Sequence, residues 1–346
     1  MAGPPTAGSR RYLAGRRVTF DGGTPSLHRA VAQEHAPPAG RRRYIKEIIM
    51  FIDSHAHAFR RPVPFVVKFC TVDELLKRYD DAGIEKGILM PVVNPEVYLP
   101  QANEDILDMV AAHPDRLAAF CNIDPRAISN SVQAPLDKIL QYYKDKGCKG
   151  VGEIMPNLPM LDPMVQNLFA CAEKVGLPVT TDGSMIVGGD FGLQDEPGLP
   201  QLEYTLARFP DLKYIAHGPI FWGELGGFKT PAQRKPVMKA NGGQTHYFAP
   251  QGPLTGECVV HSLFRRFPNL MAELSDAYMV LNCDHAYVAR FLTEFQDRLF
   301  FGTDICGFGH RFTMMELLLK LRDDGSLPED AFRKIAHDNA LKYFNL

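Results

Sequence analysis

Short apolar runs, rich in β-branched and aromatic residues, recur eight times in this sequence, at a spacing typical of a chain that alternates strands with helices. They lie at 50–53, 86–93, 117–123, 148–154, 177–181, 212–216, 269–274 and 298–302. Between them apolar residues follow the helical period of about 3.6, as at Val132, Leu136, Ile139, Leu140 and Tyr143. Eight strand–helix repeats predict an α/β fold, the (β/α)8 TIM barrel.

An open, doubly wound sheet is the alternative fold. Such a sheet normally has fewer strands and often carries a Gly-rich phosphate-binding turn after the first one. No such turn follows the first apolar run of this chain. The barrel is therefore the predicted fold.

The first run ends in two histidines, His55 and His57. Side chains alternate along an extended segment, so residues two apart point the same way and can offer two imidazole nitrogens to one ion. Two histidines are a weak signal alone, and the prediction of a metal site depends on the ends of the other strands.

Four other strands also end in a side chain that can bind a metal or transfer a proton. Glu153 ends the fourth strand, Asp182 the fifth, His217 the sixth and Asp304 the eighth. A single residue of this kind is usually a helix cap or a turn residue. Because barrel active sites are assembled where the strands end, the set predicts a metal site on that face.

Charge and cysteine content restrict the class of protein. The net charge is −2 and the isoelectric point is near 6.6, which gives no electrostatic reason to expect nucleic acid or an anionic membrane as a partner. No apolar run approaches the roughly 20 residues of a membrane span. The seven cysteines are odd in number and widely spaced, which favours reduced thiols and a cytoplasmic protein.

Residues 1–49 differ in composition from the rest. They contain eight Arg and one Lys against three acidic residues, and they show no helical or strand period, which predicts disorder. An organellar transit peptide is the alternative, but the Ser content and amphipathic pattern of one are missing. We expect translation to begin at Met50, so that 1–49 is a dispensable leader and 50–346 is the barrel domain.

The motifs on these strands resemble those of the amidohydrolase superfamily, and within it the amidohydrolase-related (amidohydrolase 2) branch. The resemblance runs from Phe51 to Leu346 and rests on the sequence motifs Asp53-x-His55-x-His57, Ile215-Ala216-His217-Gly218, Phe301-Gly302-Thr303-Asp304 and the closing Asn339-Ala340 with Tyr343-Phe344. It implies a barrel of the metal-dependent hydrolase type with one divalent metal, Zn or Mn, and room for a second. Branch members include hydrolases, non-oxidative decarboxylases and hydratases.

Position by position, the resemblance implies that His55, His57 and Asp304 are metal ligands and that His217 polarises the substrate or shuttles its proton. One position departs from the family pattern, because Asp182 stands where a histidine ligand is usual. Asp can bind Zn or Mn through oxygen, so we expect Asp182 to remain a ligand. Glu153 is expected to bridge or support the metal.

The setting of Glu153 also resembles that in the TatD-like nucleases of the same superfamily, where a glutamate spans two metals. The strand-eight motif of those enzymes usually carries a proline, whereas this chain has Gly302-Thr303-Asp304-Ile305-Cys306. The chain also lacks a basic surface for nucleic acid.

The longest interval between strands, about 218–255, is rich in Gly and Pro and predicts an irregular lid or binding loop. Trp222, the only tryptophan, lies at its start. It is predicted to stack on an aromatic substrate, with burial in the core as the alternative.

The predicted function is hydrolysis of a small acid, cyclic amide or ester by a metal-activated water, with Asp304 taking the proton of the water and His217 stabilising or protonating the reacting group. The alternative is non-oxidative decarboxylation of an aromatic or unsaturated acid. A third possibility is an inactive barrel that acts as a binding protein. The expected partner is a small-molecule substrate, and a homodimer is expected from the family resemblance.

Overall fold

The strands of the computed structural model fall where the apolar runs predict them. It describes residues 50–63, 68–97, 99, 101–226, 237–238, 244–245, 253–254 and 256–346, so the leader at 1–49 and most of the predicted lid loop lie outside the described residues. Within the described part, the eight principal strands are β1 Phe51–Ala56, β2 Ile84–Leu89, β3 Leu117–Ala119, β4 Val151–Ile154, β5 Val179–Thr181, β6 Tyr214–Ala216, β7 Leu270–Glu273 and β8 Leu299–Phe300.

These strands form a closed parallel ring. β1 to β3 pair in order, and β4 to β8 pair in order, with every pairing parallel. Single parallel bridges complete the circle: Cys121 with Val151 joins β3 to β4, and Ala56 with Ile305 joins β1 to the segment after β8. Ring closure confirms the barrel and excludes the open sheet.

Helices separate the strands along the chain. In the described residues they are α1 Val72–Ala82, α2 Asn103–Ala112, α3 Leu136–Asp145, α4 Pro163–Val175, α5 Pro200–Arg208, α6 Gly218–Gly223, α7 Val259–Arg266, α8 Tyr278–Leu281, α9 His285–Glu294, α10 Thr313–Asp323, α11 Glu329–Arg333 and α12 Asn339–Phe344. Short 3₁₀ turns occupy Glu224–Gly226 and Gln296–Arg298, and a π turn, Lys334–Asp338, joins α11 to α12. No helix in these ranges is both long and apolar enough to cross a bilayer.

Two pairs of two-residue strands lie outside the ring. Gly183–Ser184 pairs in parallel with Leu193–Gln194, directly after β5. Val237–Met238 pairs antiparallel with Gln244–Thr245 inside the predicted lid interval.

Apolar side chains fill the amino-terminal half of the barrel interior and the space between the strands and the surrounding helices. The interior cluster consists of Ile52, Ile88, Met90, Phe120, Ile215, Met271, Phe300, Ala340 and Phe344. The ring of Phe344, from α12, packs against Phe120 and Phe300 at centroid distances of 5.6 and 5.3 Å, and so α12 closes the amino end of the barrel. A larger apolar cluster lies between the strands and the surrounding helices. Buried polar side chains collect where the strands end.

Candidate metal centre

Four of the predicted residues converge at the carboxyl end of the barrel. His55, His57, Glu153 and Asp304 each place one nitrogen or oxygen atom so that the four atoms lie within 4.8 Å of one another. Simple alternation from Ile52, which faces the interior, would turn the two histidines outward. The register of β1 against β2 shifts between Asp53 and Ala56, and this irregularity brings both imidazoles into the interior above Ile52.

The distances within this group suit a metal ion. The Nε2 atoms of His55 and His57 are 3.1 Å apart. Oε2 of Glu153 lies 3.5 and 3.3 Å from them, and Oδ1 of Asp304 lies 3.6 and 3.2 Å from them. Ligands held at about 2.0–2.2 Å from one tetrahedral ion lie roughly 3.3–3.6 Å from each other. The four atoms therefore have the separations of a metal shell.

Hydrogen bonds on the far side of each ring decide which nitrogen faces the centre with its lone pair. Nδ1 of His57 lies 3.0 Å from the carbonyl oxygen of Met90, which can only accept, so Nδ1 carries the proton. Nδ1 of His55 lies 3.2 Å from a carboxylate oxygen of Glu273. In their neutral forms both imidazoles thus direct an unprotonated Nε2 at the two carboxylates, and four electron-rich atoms facing each other require a cation or protons between them.

The pKa values of these four side chains in the metal-free site reflect their close approach to one another. Burial alone would lower the pKa of His57, but hydrogen bonds to Asp304 and Glu153 outweigh it and raise the pKa to about 9. The pKa of His55 is likewise raised, against burial, by Glu153. Burial opposes ionisation of Glu153 and Asp304, yet the neighbouring histidines hold the pKa of both carboxyls below the usual range. Protons thus occupy the histidines when no metal does.

Asp53 holds the two metal-binding strands in register. Its carboxylate accepts hydrogen bonds from the backbone N–H of His55 and of Thr303, at 3.1 and 2.9 Å, and from the hydroxyls of Thr303 and Tyr79, at 2.6 and 2.8 Å. These bonds tie β1 to the segment after β8 and to α1. Asp304 follows directly, with a left-handed φ of 47°, and its N–H donates to the carbonyl of His55 at 2.9 Å.

Glu273, at the end of β7, is the functional residue that the sequence analysis missed. Its Oε1 faces Nδ1 of both His55 and His217, and it accepts a hydrogen bond from the hydroxyl of Ser275 at 2.7 Å. A Cβ at Gly302 would collide with its other oxygen, so a larger residue there would displace the Glu273 carboxylate. A carboxylate inside the otherwise apolar run Leu270–Glu273 is the signal that could have identified it.

His217 lies beside the four-atom group. Its Nδ1 contacts Glu273, and its Nε2 is 3.3 Å from Oε1 of Glu153. Burial alone would lower the pKa of His217, but the Glu273 carboxylate outweighs it and raises the pKa to about 10. The side chain is therefore a cationic hydrogen-bond donor in the metal-free site.

Asp182 lies at the edge of the centre. One of its oxygens groups with Glu153 and His217, but none lies within the set formed by His55, His57, Glu153 and Asp304. Its Oδ1 accepts the N–H of Gly183 at 2.7 Å and occupies the space where a Cβ at Gly218, which has a φ of 83°, would stand. Burial and the charge of Glu153 raise its pKa. A further group, His217 with Asp276 and Asp304, lies on the other side of the centre.

Trp222 is fully buried in α6, which is the alternative that the sequence left open. Its indole N–H donates to the carbonyl of Glu273 at 3.0 Å, and its ring meets Phe221 and Phe291 edge to face. It therefore supports β7 from the outer core. The start of the predicted lid loop is helical, and residues 227–236, 239–243, 246–252 and 255 lie outside the described part of the chain.

Comparison with known proteins shows which solved structures have a similar fold. No protein-family model matches the chain, and no curated protein matches it. Solved structures do: a probable 2-pyrone-4,6-dicarboxylic acid hydrolase from Acinetobacter baumannii is 15% identical, with a TM-score of 0.54, over 86% of this chain and 99% of that one. A 5-carboxyvanillate decarboxylase from Novosphingobium aromaticivorans, complexed with manganese and 4-hydroxy-3-methoxy-5-nitrobenzoic acid, is 15% identical, with a TM-score of 0.56, over 87% and 97%.

A third similar structure is described as amidohydrolase II, with 14% identity and a TM-score of 0.50 over 86% of this chain and all of that one. At this level of identity the structural similarity establishes the barrel fold alone. The reaction must be argued from the site.

Proposed function

We propose that this chain, which has the barrel fold of the amidohydrolase-related branch, is a metal-dependent hydrolase of a small cyclic amide or ester. The observation that carries the proposal is the convergence of the Nε2 atoms of His55 and His57 with one carboxylate oxygen each from Glu153 and Asp304, all within 4.8 Å of one another. Two imidazoles and two carboxylates are ligands suited to Zn or Mn. A divalent ion held there supplies a Lewis acid and a water of lowered pKa.

The protein side chains divide the remaining work. Asp304 would hold the ion through Oδ1, and its second oxygen would be free to accept a proton from a water. His217, fixed through Nδ1 by Glu273, directs Nε2 towards the same space and can stabilise an oxyanion or protonate a leaving group. We assign Asp182 a supporting role through Glu153, as an additional oxygen ligand when a second ion binds.

Decarboxylation is the second candidate, and it is supported by the similar fold of the manganese-containing decarboxylase structure. A divalent ion held by the same ligands would bind the carboxylate of an aromatic acid, and His217 would lie beside the carbon that gains the proton. The two reactions differ in product, since hydrolysis creates a new acid group and decarboxylation releases CO2.

The test uses the full chain, stripped of metal and reloaded with Zn or Mn. Lactones, cyclic imides and hydroxybenzoic acids are incubated with each form, and acid formation and CO2 are measured. We expect metal-dependent acid release that is lost in His217→Asn while metal content is retained. CO2 without acid would replace hydrolysis by decarboxylation, and metal and ligand binding without either product would favour a binding protein.

A further inference from the structure

Asn122, which follows β3, carries a buried polar atom without a partner. The side chain is 2% exposed. Its Nδ2 donates to the carbonyl of Pro91 at 2.9 Å and to the carbonyl of Glu153, whereas its Oδ1 has no hydrogen-bond partner among the described residues. Since carbonyls only accept, the amide cannot be turned around, and Oδ1 is the acceptor that remains.

The position of Asn122 on the barrel directs its side chain towards the centre. Phe120 belongs to the interior cluster, and Asn122, two residues further, has the same orientation by alternation. The same relation holds on β6 between Ile215 and His217. Asn122 therefore stands in the same interior layer as His217, next to the strand that carries Glu153.

Asn94, five residues after the end of β2, carries a second buried acceptor of this kind. It is 2% exposed, and its Nδ2 donates to Oδ2 of Asp124 at 2.9 Å. Asp124 is itself paired with Arg126, which holds its pKa below the usual range against the effect of burial and keeps it an acceptor. Oδ1 of Asn94 has no partner in the described ranges. The segments that follow β2 and β3 thus each contain a buried amide oxygen without a hydrogen-bond donor.

Native interiors rarely leave such acceptors unpaired, so two of them after successive strands of the barrel point to a ligand. We propose that Asn122 and Asn94 form an acceptor subsite that binds an N–H or O–H donor of the substrate, such as the ring N–H of a cyclic imide or the hydroxyl of a phenol. This proposal rests on the proposed function and narrows its substrate class. A molecule without the donor leaves buried acceptors unpaired and is rejected.

The experiment measures binding to the metal-loaded full chain by calorimetry, with two pairs of probes in which a methyl group replaces the donor hydrogen. They are glutarimide with N-methylglutarimide, and salicylic acid with 2-methoxybenzoic acid. We expect the donor-bearing member of one pair to bind about tenfold or more tightly. Asn122→Ala should reduce this ratio towards one, and Asn94→Ala should reduce it in part.

Asn269→Ala is the matched control. Asn269 is also buried and also donates through Nδ2 to two carbonyls, those of Leu206 and Phe209, but it precedes β7 at the amino end of the barrel. Its loss should lower stability and leave the ratio unchanged. Should Asn122→Ala fail to fold, the ratio in the unmodified protein and in Asn94→Ala still decides.

Equal affinity within both pairs, or no binding of any probe, overturns the subsite. A ratio that neither asparagine variant changes overturns it as well, because an internal water would then satisfy the two oxygens. Imide hydrolysis with an unchanged ratio supports the proposed function and refutes the subsite. An asparagine-dependent ratio without turnover supports the subsite and refutes the hydrolase.

Discussion

The two ends of this barrel are built on opposite principles. At the amino end the rings of Phe120, Phe300 and Phe344 fill the interior with apolar atoms that need no partner. At the carboxyl end, above this apolar layer, buried histidines and carboxylates face each other. The first end contributes burial of apolar surface, whereas the second contains charges whose desolvation opposes folding.

Two aspartates at the carboxyl end also have an unusual backbone conformation. Asp276 and Asp304, both at the carboxyl end, have left-handed φ values of 55° and 47°, which residues with a Cβ seldom adopt. Strain of this kind persists where surrounding contacts hold it, and it is typical of functional sites. The difference teaches that stability and function are separable here, so substitutions at the two ends should have different effects.

The largest expected effect is at the carboxyl end. Asp304→Asn removes a charged ligand from the four-atom group, so we expect elemental analysis to find little Zn or Mn per chain and activity to fall to that of metal-free protein. Asp182→Asn, outside that group, should lose metal only in part. Metal-free Asp304→Asn should remain folded, although it loses the contact that raises the pKa of His57.

Full metal retention in Asp304→Asn would remove it from the shell. Equal and complete loss in Asp182→Asn would place that carboxylate among the primary ligands.

A substitution at the amino end should lower stability and leave metal binding unchanged. Phe344→Ala removes a ring that plugs the barrel, and deletion of a buried aromatic side chain typically lowers the free energy of unfolding by about 3–5 kcal/mol. Denaturant unfolding measures this change, and metal content per folded chain should not change. Loss of metal from the folded variant would show that the two ends are coupled.

Glu273→Gln should have an intermediate effect. The carboxylate orients His55 and His217 without binding the metal itself, and loss of such a contact commonly weakens metal affinity by about 10–100-fold. Competition with a chelator measures the affinity. Glu74→Gln, in the exposed first turn of α1, is a control that should leave it unchanged.

The strands, and four of the residues that meet at the carboxyl end, could be predicted from the sequence. All eight apolar runs contain or overlap a strand, because the interval between β-branched runs and the helical period between them are local signals. His55, His57, Glu153 and Asp304 could be placed together because parallel strands share one carboxyl end. Val132 was wrongly included in a helix: α3 begins at Leu136, and Val132 is exposed.

What could not be predicted depends on contacts between distant strands. Glu273 is 218 residues from His55, and only the closed ring brings them together. The orientation of the Asn122 amide likewise depends on the carbonyls of Pro91 and Glu153, which no local pattern reveals. Trp222 lies near His217 in sequence, but the direction of its side chain was decided by packing against Phe291.

The smallest expected effect is a pH dependence that only one end should show. In the metal-free protein the pKa of His57 is raised to about 9, so protonation of this side chain stabilises the folded state. The stabilisation is complete below the unfolded pKa of roughly 6.5 and is lost as the pH rises through about 9. Metal-free protein should therefore melt at a lower temperature at pH 9 than at pH 6.5, and metal-loaded protein should not, because the ion replaces the protons. Phe344→Ala should lower both melting curves by equal amounts. If the metal-free and metal-loaded proteins lose stability equally between these pH values, the histidines are not exchanging protons for metal, and the two ends differ in composition only.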